Sequence, residues 1–254
     1  MINAEISYSQ AFSEFAEVYD RFMHYIDYPG WVRYILEIIE LFEIRGRRLL
    51  DIACGTGTCA LLFAREGFEV TGIDISQQML EQARKKIQNS GYRISLFQQD
   101  MREFKIDKRV DIATCLYDSL NYLLQTEDLQ RTFVSVHRAL EENGAFIFDM
   151  NTEYALKVVW GTNVWHRKEG GIASVWKSEF DLKTGIGTLY LTWRTEENGM
   201  RKKHHELHQE RAYSAQEIRR LLEKAGFRRV EIYAHLTFQP PVEVTPRIMV
   251  VAVK

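Results

Sequence analysis

The sequence predicts an α/β protein built on a doubly wound, mostly parallel sheet, and three observations carry that prediction. Short apolar runs of β type alternate with amphipathic helical stretches between residues 46 and 153. The first run ends in a turn rich in small residues, Cys54-Gly55-Thr56-Gly57, which opens a helix. The α/β pattern then resumes at 213–254, after a block of different style at 154–212. Such alternation implies parallel strands joined by right-handed crossovers, with helices on both faces.

Taken in order, Phe12, Phe15, Ala16, Tyr19, Phe22 and Met23 recur at three- and four-residue spacing, which predicts an amphipathic helix broken at Tyr28-Pro29-Gly30. A second helix carries Val32, Ile35, Leu36, Ile39 and Leu41. Leu49-Leu50-Asp51-Ile52-Ala53 is the first core strand, and the helix at 59–65 is closed by Gly67. Strands follow at 68–73, 92–97, 110–116 and 145–149, with a Ser76-capped helix through Met79, Leu80, Ala83 and Ile87 and another at 129–140. A Ser214-capped helix bearing Ile218, Leu221 and Leu222 stops at Gly226. Strands at 230–236 and 247–253, linked through Pro240-Pro241, bring the sheet to seven and should pair antiparallel at one edge. In the intervening block, Val164-Trp165-His166 and runs at 172–180, 187–195 and 201–211 are extended. The turns Asp181-Leu182-Lys183-Thr184-Gly185 and Glu197-Asn198-Gly199 make them an antiparallel meander. The expected organisation is a helical cap at 1–45, a core at 46–153 and 213–254, and an inserted β subdomain at 154–212.

Composition bounds the function. Hydrophobic residues at 46% leave ample material for a core. The 33 basic and 35 acidic side chains leave a net charge of −2, so no global field favours nucleic acid or an anionic membrane. The start, MINAEISYSQ, resembles neither a secretory signal nor an anchor, and no run approaches the ~20 apolar residues that span a bilayer. Cys54, Cys59 and Cys115 form no metal-ligand spacing; an odd count without a leader fits reduced thiols and a cytoplasmic setting. Oligomeric state is not legible.

Strand, then Asp51-x-x-x-Gly55-x-Gly57, then helix, is a nucleotide-binding turn. Glycine permits the sharp bend and close backbone approach, and the helix start offers N–H donors. Asp74 ends the next strand, where a carboxylate can accept from ribose hydroxyls. A dinucleotide oxidoreductase is the first rival, since Ala60 occupies the third glycine slot. Against it, Asp51 suits a cationic amino-acid group better than a pyrophosphate. Gln99-Asp100-Met101 follows the third strand where an adenine could lie, and an antiparallel pair closes the sheet.

Leu49 to Gly57, then Thr71-Gly72-Ile73-Asp74-Ile75-Ser76-Gln77-Gln78-Met79-Leu80, then Gln99-Asp100-Met101 resemble the successive cofactor motifs of class I S-adenosylmethionine-dependent methyltransferases. The likeness spans 46–150, and Ala225-Gly226-Phe227 fits it too. It implies a Rossmann-like sheet, S-adenosyl-L-methionine as cofactor and S-adenosyl-L-homocysteine as product. It also implies roles. Asp51 with the turn Ala53, Cys54, Gly55, Thr56 and Gly57 would hold the methionine moiety, and Asp74 the ribose, with Ile75 and Met79 beside it. Asp100 and Met101 would take the adenine, while Leu116 and Tyr117 border the methionine tail. Tyr28 and Trp31 join this set from the cap.

The β insertion, with Tyr19-Asp20, Asp27-Tyr28 and Trp31, is similar to a small-molecule subgroup that includes amino-sugar N,N-dimethyltransferases and glycine-type N-methyltransferases. The expected acceptor is accordingly a small molecule, foremost an amine. The candidate segment is Tyr117-Asp118-Ser119-Leu120-Asn121-Tyr122. In the amino-sugar enzymes a histidine acts near this point, where this chain has Tyr122. A phenol of pKa ~10 orients more readily than it abstracts a proton. Tyr122 and Tyr19 are the catalytic candidates. Trp165, Trp176 and Trp193 suit sheet packing or an acceptor wall. His204-His205-x-x-His208 is no metal site, because neighbours in a strand face opposite ways. An RNA or protein acceptor and a non-catalytic cofactor-binding module stand as alternatives; the Asn/Asp-Pro-Pro-aromatic run of adenine-N6 enzymes is absent after the fourth strand.

Overall fold

The computed structural model describes residues 7–169, 171–197 and 200–254, and everything structural below concerns these. The first six residues and the predicted Asn198-Gly199 turn lie outside them. A seven-stranded sheet forms the core. It contains β2 (Arg48–Ile52), β3 (Glu69–Asp74), β4 (Ile94–Gln98), β5 (Val110–Cys115), β6 (Leu140–Asn151), β11 (Arg229–Ala234) and β12 (Arg247–Val253). Their order, β11-β12-β6-β5-β2-β3-β4, is parallel from β4 to β6, and β12 runs antiparallel to both neighbours. The central strands are buried on both faces, so they need continuous apolar runs: every residue of β5 is buried. Helices α2 (Tyr28–Leu41) and α3 (Thr58–Arg65) cover one face with Trp31, Ile35, Ile38 and Phe63. Helices α5 (Thr126–Ala139) and α6 (Ala215–Ala225) cover the other with Leu129, Phe133, Ile218 and Leu222. Helix α4 (Gln77–Gln88), capped by Ser76, lies beside β3 and β4. No described helix is long and apolar enough to cross a membrane.

The second sheet holds β7 (Val164–Glu169), β8 (Ile172–Asp181), β9 (Ile186–Glu197) and β10 (Met200–Arg211) as the expected meander. Two features were not foreseen. A short strand, β1 (Ser9–Gln10), adds in parallel to β10, and a π-helical turn at Ala155–Trp160 leads from β6 into the meander.

The N-terminal helix expected from the aromatic spacing does not form as one element. Phe12 takes a left-handed φ of 61°, and the chain continues as a 3-10 turn at Glu14–Glu17 and one helical turn, α1 (Tyr19–Phe22). Elements this short have no stability of their own in water. Phe15, Phe22 and Met23 are instead buried against Leu191 and Trp193 of β9, at about 1.5–3 kcal/mol for each large apolar side chain, and this packing holds the segment. Pro29 does not end a helix but sits in the first turn of α2, where its missing N–H costs nothing, with Asp27 accepting from the Gly30 N–H.

Candidate active site

A cavity of about 560 Å³ opens at the carboxyl ends of the core strands, beneath the second sheet and the N-terminal segment. Its floor begins where β2 ends. Ala53, Gly55 and Gly57 all have positive φ, 53°, 55° and 73°, so the chain reverses tightly before entering α3. Asp51, Ala53, Cys54, Gly55, Thr56 and Asp74 line the cavity, as do Ile75, Met79, Met101, Leu116, Tyr117 and Tyr28.

Three expected residues do not. Gly57 instead lets α3 start close against α4, since a Cβ there would sit 3.1 Å from that of Ala83. The Asp100 carboxylate is turned onto Arg102, which donates from Nε at 3.0 Å and from Nη2 at 2.6 Å and holds the acid below its usual range. Trp31 is buried behind the wall, 4.3 Å between ring centroids from His235 and beneath the Arg247 guanidinium.

Asp51 carries the most informative geometry. It is 2% exposed; Oδ1 accepts from the Thr114 hydroxyl at 2.8 Å, and Oδ2 is buried without a partner. Burial pushes its carboxyl up to about 7. A buried, unpaired acceptor is costly, and an ammonium group would relieve it. Asp74 joins the end of β3 to the glycine turn, accepting from Gly55 N–H and Ser76 N–H, both at 2.8 Å. Burial raises its pKa, and lone pairs remain for further donors. The residues present therefore fit an amino-acid-bearing nucleoside.

At the other end of the cavity, Tyr117 and Asp118 both take left-handed φ, 62° and 54°. Such strain costs about 1–3 kcal/mol per residue and persists only where neighbours enforce it. Here the fully buried Asp149 accepts from both N–H groups, at 2.6 and 3.0 Å, and Arg247 bridges Asp149 and Asp118. Asn121, also fully buried, donates to the carbonyls of Asn151 and Arg211 and accepts from Asn151 N–H, tying β6 to β10.

The opposing wall is β10, whose His204, Glu206, His208 and Glu210 are all buried. They alternate with His205, Leu207 and Gln209, so one face of a strand turns four titratable groups inward. Glu210 accepts from Asn151 at 2.8 Å; burial and the adjacent Asp118 carboxylate push its pKa well up. Tyr122 Oη lies 3.0 Å from His208 Nδ1, and burial raises both Tyr122 and Tyr19, leaving neutral phenols on the cavity. His204 stacks on Trp193 and bonds Thr195. Among the described residues no group of three or more His, Cys, Asp or Glu could hold a metal. Glu206, Glu210, Asp149 and Arg247 escaped the sequence reading. The period-2 pattern His204-x-Glu206-x-His208-x-Glu210 was the available signal for the first two.

Comparison with known proteins agrees with this geometry. Residues 49–144 match the family model described as a methyltransferase domain. A protein of Geobacillus sp. (strain WCH70), provisionally described as a methyltransferase, is 31% identical over 96% of this chain and 99% of its own length. The crystal structure of an S-adenosylmethionine-dependent methyltransferase from Clostridium acetobutylicum superposes with a TM-score of 0.84 at 28% identity, covering 94% of this chain and 97% of that one. The dTDP-3-amino-3,4,6-trideoxy-alpha-D-glucopyranose N,N-dimethyltransferase of Streptomyces venezuelae is 31% identical over 53% of this chain and 56% of its own. With a full-length relative and a shared fold, the chain belongs to the S-adenosylmethionine-dependent methyltransferases.

Proposed function

We propose that this enzyme methylates the nitrogen of a small-molecule amine enclosed between β10 and the N-terminal segment. One observation carries the reading: the acceptor end of the cavity combines aromatic walls with the Asp118 carboxylate, and its Arg247 guanidinium is already engaged by Asp118 and Asp149. Glu210 also lines this end, and a second guanidinium there, Arg167, lies over the Tyr25 and Trp176 rings. Tyr25, Trp160, Trp165 and Trp176 add aromatic surface. Acid groups and aromatic faces attract a cationic amine and repel phosphate, which disfavours RNA. The amino-sugar acceptor in the name of the Streptomyces venezuelae relative supports the same class.

In this reading Asp51 takes the ammonium of the cofactor, and the Ala53–Gly57 turn its carboxylate and tail. Asp74 takes the ribose, with Ile75, Met79 and Met101 around the base and Leu116, Tyr117 and Tyr28 toward the sulfur. When bound, S-adenosylmethionine supplies an electrophilic methyl whose C–S bond breaks, its electron pair staying on sulfur, as the N–C bond forms. The protein's part is to align the acceptor and exclude water, which can lower a barrier by several kcal/mol. Tyr19 and Tyr122, as neutral phenols, orient the acceptor. The test is a screen of amino sugars and alkylamines beside phenols and carboxylic acids, reading formation of S-adenosylhomocysteine. Turnover confined to the oxygen acceptors would sink the amine assignment.

A further inference from the structure

We propose that His208 takes up the proton the acceptor amine must lose, with the Tyr122 hydroxyl relaying it and Glu206 holding the imidazole. The inference rests on the amine reading above. His208 Nδ1 is 3.0 Å from Tyr122 Oη, while Nε2 is 3.2 Å from Glu206 Oε2. The second contact is off the line of a hydrogen bond, leaving Nε2 without a formal partner, but a carboxylate at that distance still favours the proton on Nε2. Nδ1 is then the lone-pair nitrogen, Tyr122 donates to it, and the phenol oxygen keeps its own lone pairs for a donor in the cavity.

Glu206 is fixed in place by its donors. It is fully buried, and its oxygens accept from the N–H groups of Phe12 at 2.9 Å, Ser13 at 3.1 Å and Phe15 at 2.7 Å, and from the Ser13 hydroxyl at 3.1 Å. Glu210, two residues along the same face of β10, and Asp118 also act on Tyr122. The N-terminal segment brings the rings of Phe12 and Phe15, and β9 brings Leu189. The cation of this part of the cavity, Arg247, is engaged by Asp118 and Asp149. Burial and these carboxylates keep negative charge off the Tyr122 oxygen, so the phenol passes a proton without storing the charge. In the transfer, an N–H bond of the protonated amine breaks with its pair left on nitrogen. An O–H bond forms at Tyr122 as its former proton bonds to His208 Nδ1. The imidazolium later gives a proton to water when the site opens.

The first test needs no acceptor. Protein with 15N-labelled histidine rings, saturated with S-adenosylhomocysteine, should show His208 as the neutral Nε2–H tautomer. Tyr122→Phe should move its Nδ1 resonance toward that of an unbonded nitrogen. An Nδ1–H tautomer overturns the relay whatever the acceptor. The second test uses the amine returned by the screen. His208→Gln, which cannot hold a proton, should lower kcat about 100-fold or more with KM for the cofactor unchanged, and should erase the acid limb of the kcat–pH profile. A folded His208→Gln protein that keeps this limb overturns the proposal. Should that variant not fold, Tyr122→Phe must lose the limb, and its persistence is equally fatal. Turnover of oxygen acceptors alone sinks the amine reading, whereas the wrong tautomer sinks the relay, so the two fail separately.

Discussion

Asp51 shows how a single residue trades stability for binding. Its pKa rises from 3.8 in an unfolded chain to about 7 in the folded one. Between those values the folded protein retains a proton that the unfolded chain has lost, so stability falls as pH rises from about 4 to 7 and is flat above. Three units correspond to roughly 4 kcal/mol. Asp51→Asn keeps the Thr114 bond and removes the charge. It should flatten the pH dependence of the melting temperature between pH 5 and 8, raise stability at pH 8, and weaken cofactor affinity by at least tenfold. Parallel melting curves for both proteins would discard the account. At this scale the sequence is informative where a residue's bonds are local, as for Asp74 and the Ser76 N–H, whereas the Thr114 partner of Asp51 lies on another strand. It misleads where a nearby side chain captures the group. Asp100 holds the expected position, yet Arg102 folds back onto it, and no spacing rule distinguishes a free carboxylate from a clamped one.

At the level of elements, the βα units were legible because each carries its own periodicity, turn and cap. The N-terminal segment was not, because its aromatic spacing fits a helix in isolation while its burial is set by β8 and β9 far along the chain. Strand β10 was assigned correctly as a strand, but its histidines were weighed only as metal ligands and Glu206 and Glu210 between and after them were passed over. Glu206 links the two elements, and its removal should be felt mainly in the segment it anchors. Glu206→Ala strands three N–H donors, that of Phe15 fully buried, costing at least about 2 kcal/mol. Limited proteolysis should then cut at 7–26 while the core strands stay protected. Cleavage spread evenly along the chain would show that Glu206 supports the whole fold instead.

For the whole molecule, the cofactor should act as a stabiliser through mass action. A ligand at one hundred times its dissociation constant adds about 2.7 kcal/mol, or roughly 5–10 °C in melting temperature for a chain of this size. S-adenosylhomocysteine should produce that shift and NAD should produce none. A shift with NAD alone would contradict the assignment of the Asp51 and Asp74 carboxylates. The two sheets were visible in the sequence as a change of pattern after β6. Their joining by Asn121, which bonds the backbone of Asn151 and Arg211, was not, because a buried asparagine looks like any turn residue until both sheets are placed.

The N-terminal segment also crosses the mouth of the nucleoside end. Asp20 accepts from Thr56 at 2.6 Å and pairs with Lys86 at 2.8 Å, while the Ser76 hydroxyl donates to the Phe12 carbonyl at 2.7 Å. With the sheets pinned together by Asn121, this fastening is the part able to yield, and the spent nucleoside should leave only when it does. Departure then becomes an event with its own clock, and in many enzymes such an opening sets the turnover number. The Asp20–Lys86 pair is half-exposed, so added salt should shorten the residence time of S-adenosylhomocysteine. Lys86→Met should do so by roughly two- to five-fold. Stopped-flow dissociation in low and high salt would read the clock directly, and rates indifferent to both changes would place the exit elsewhere.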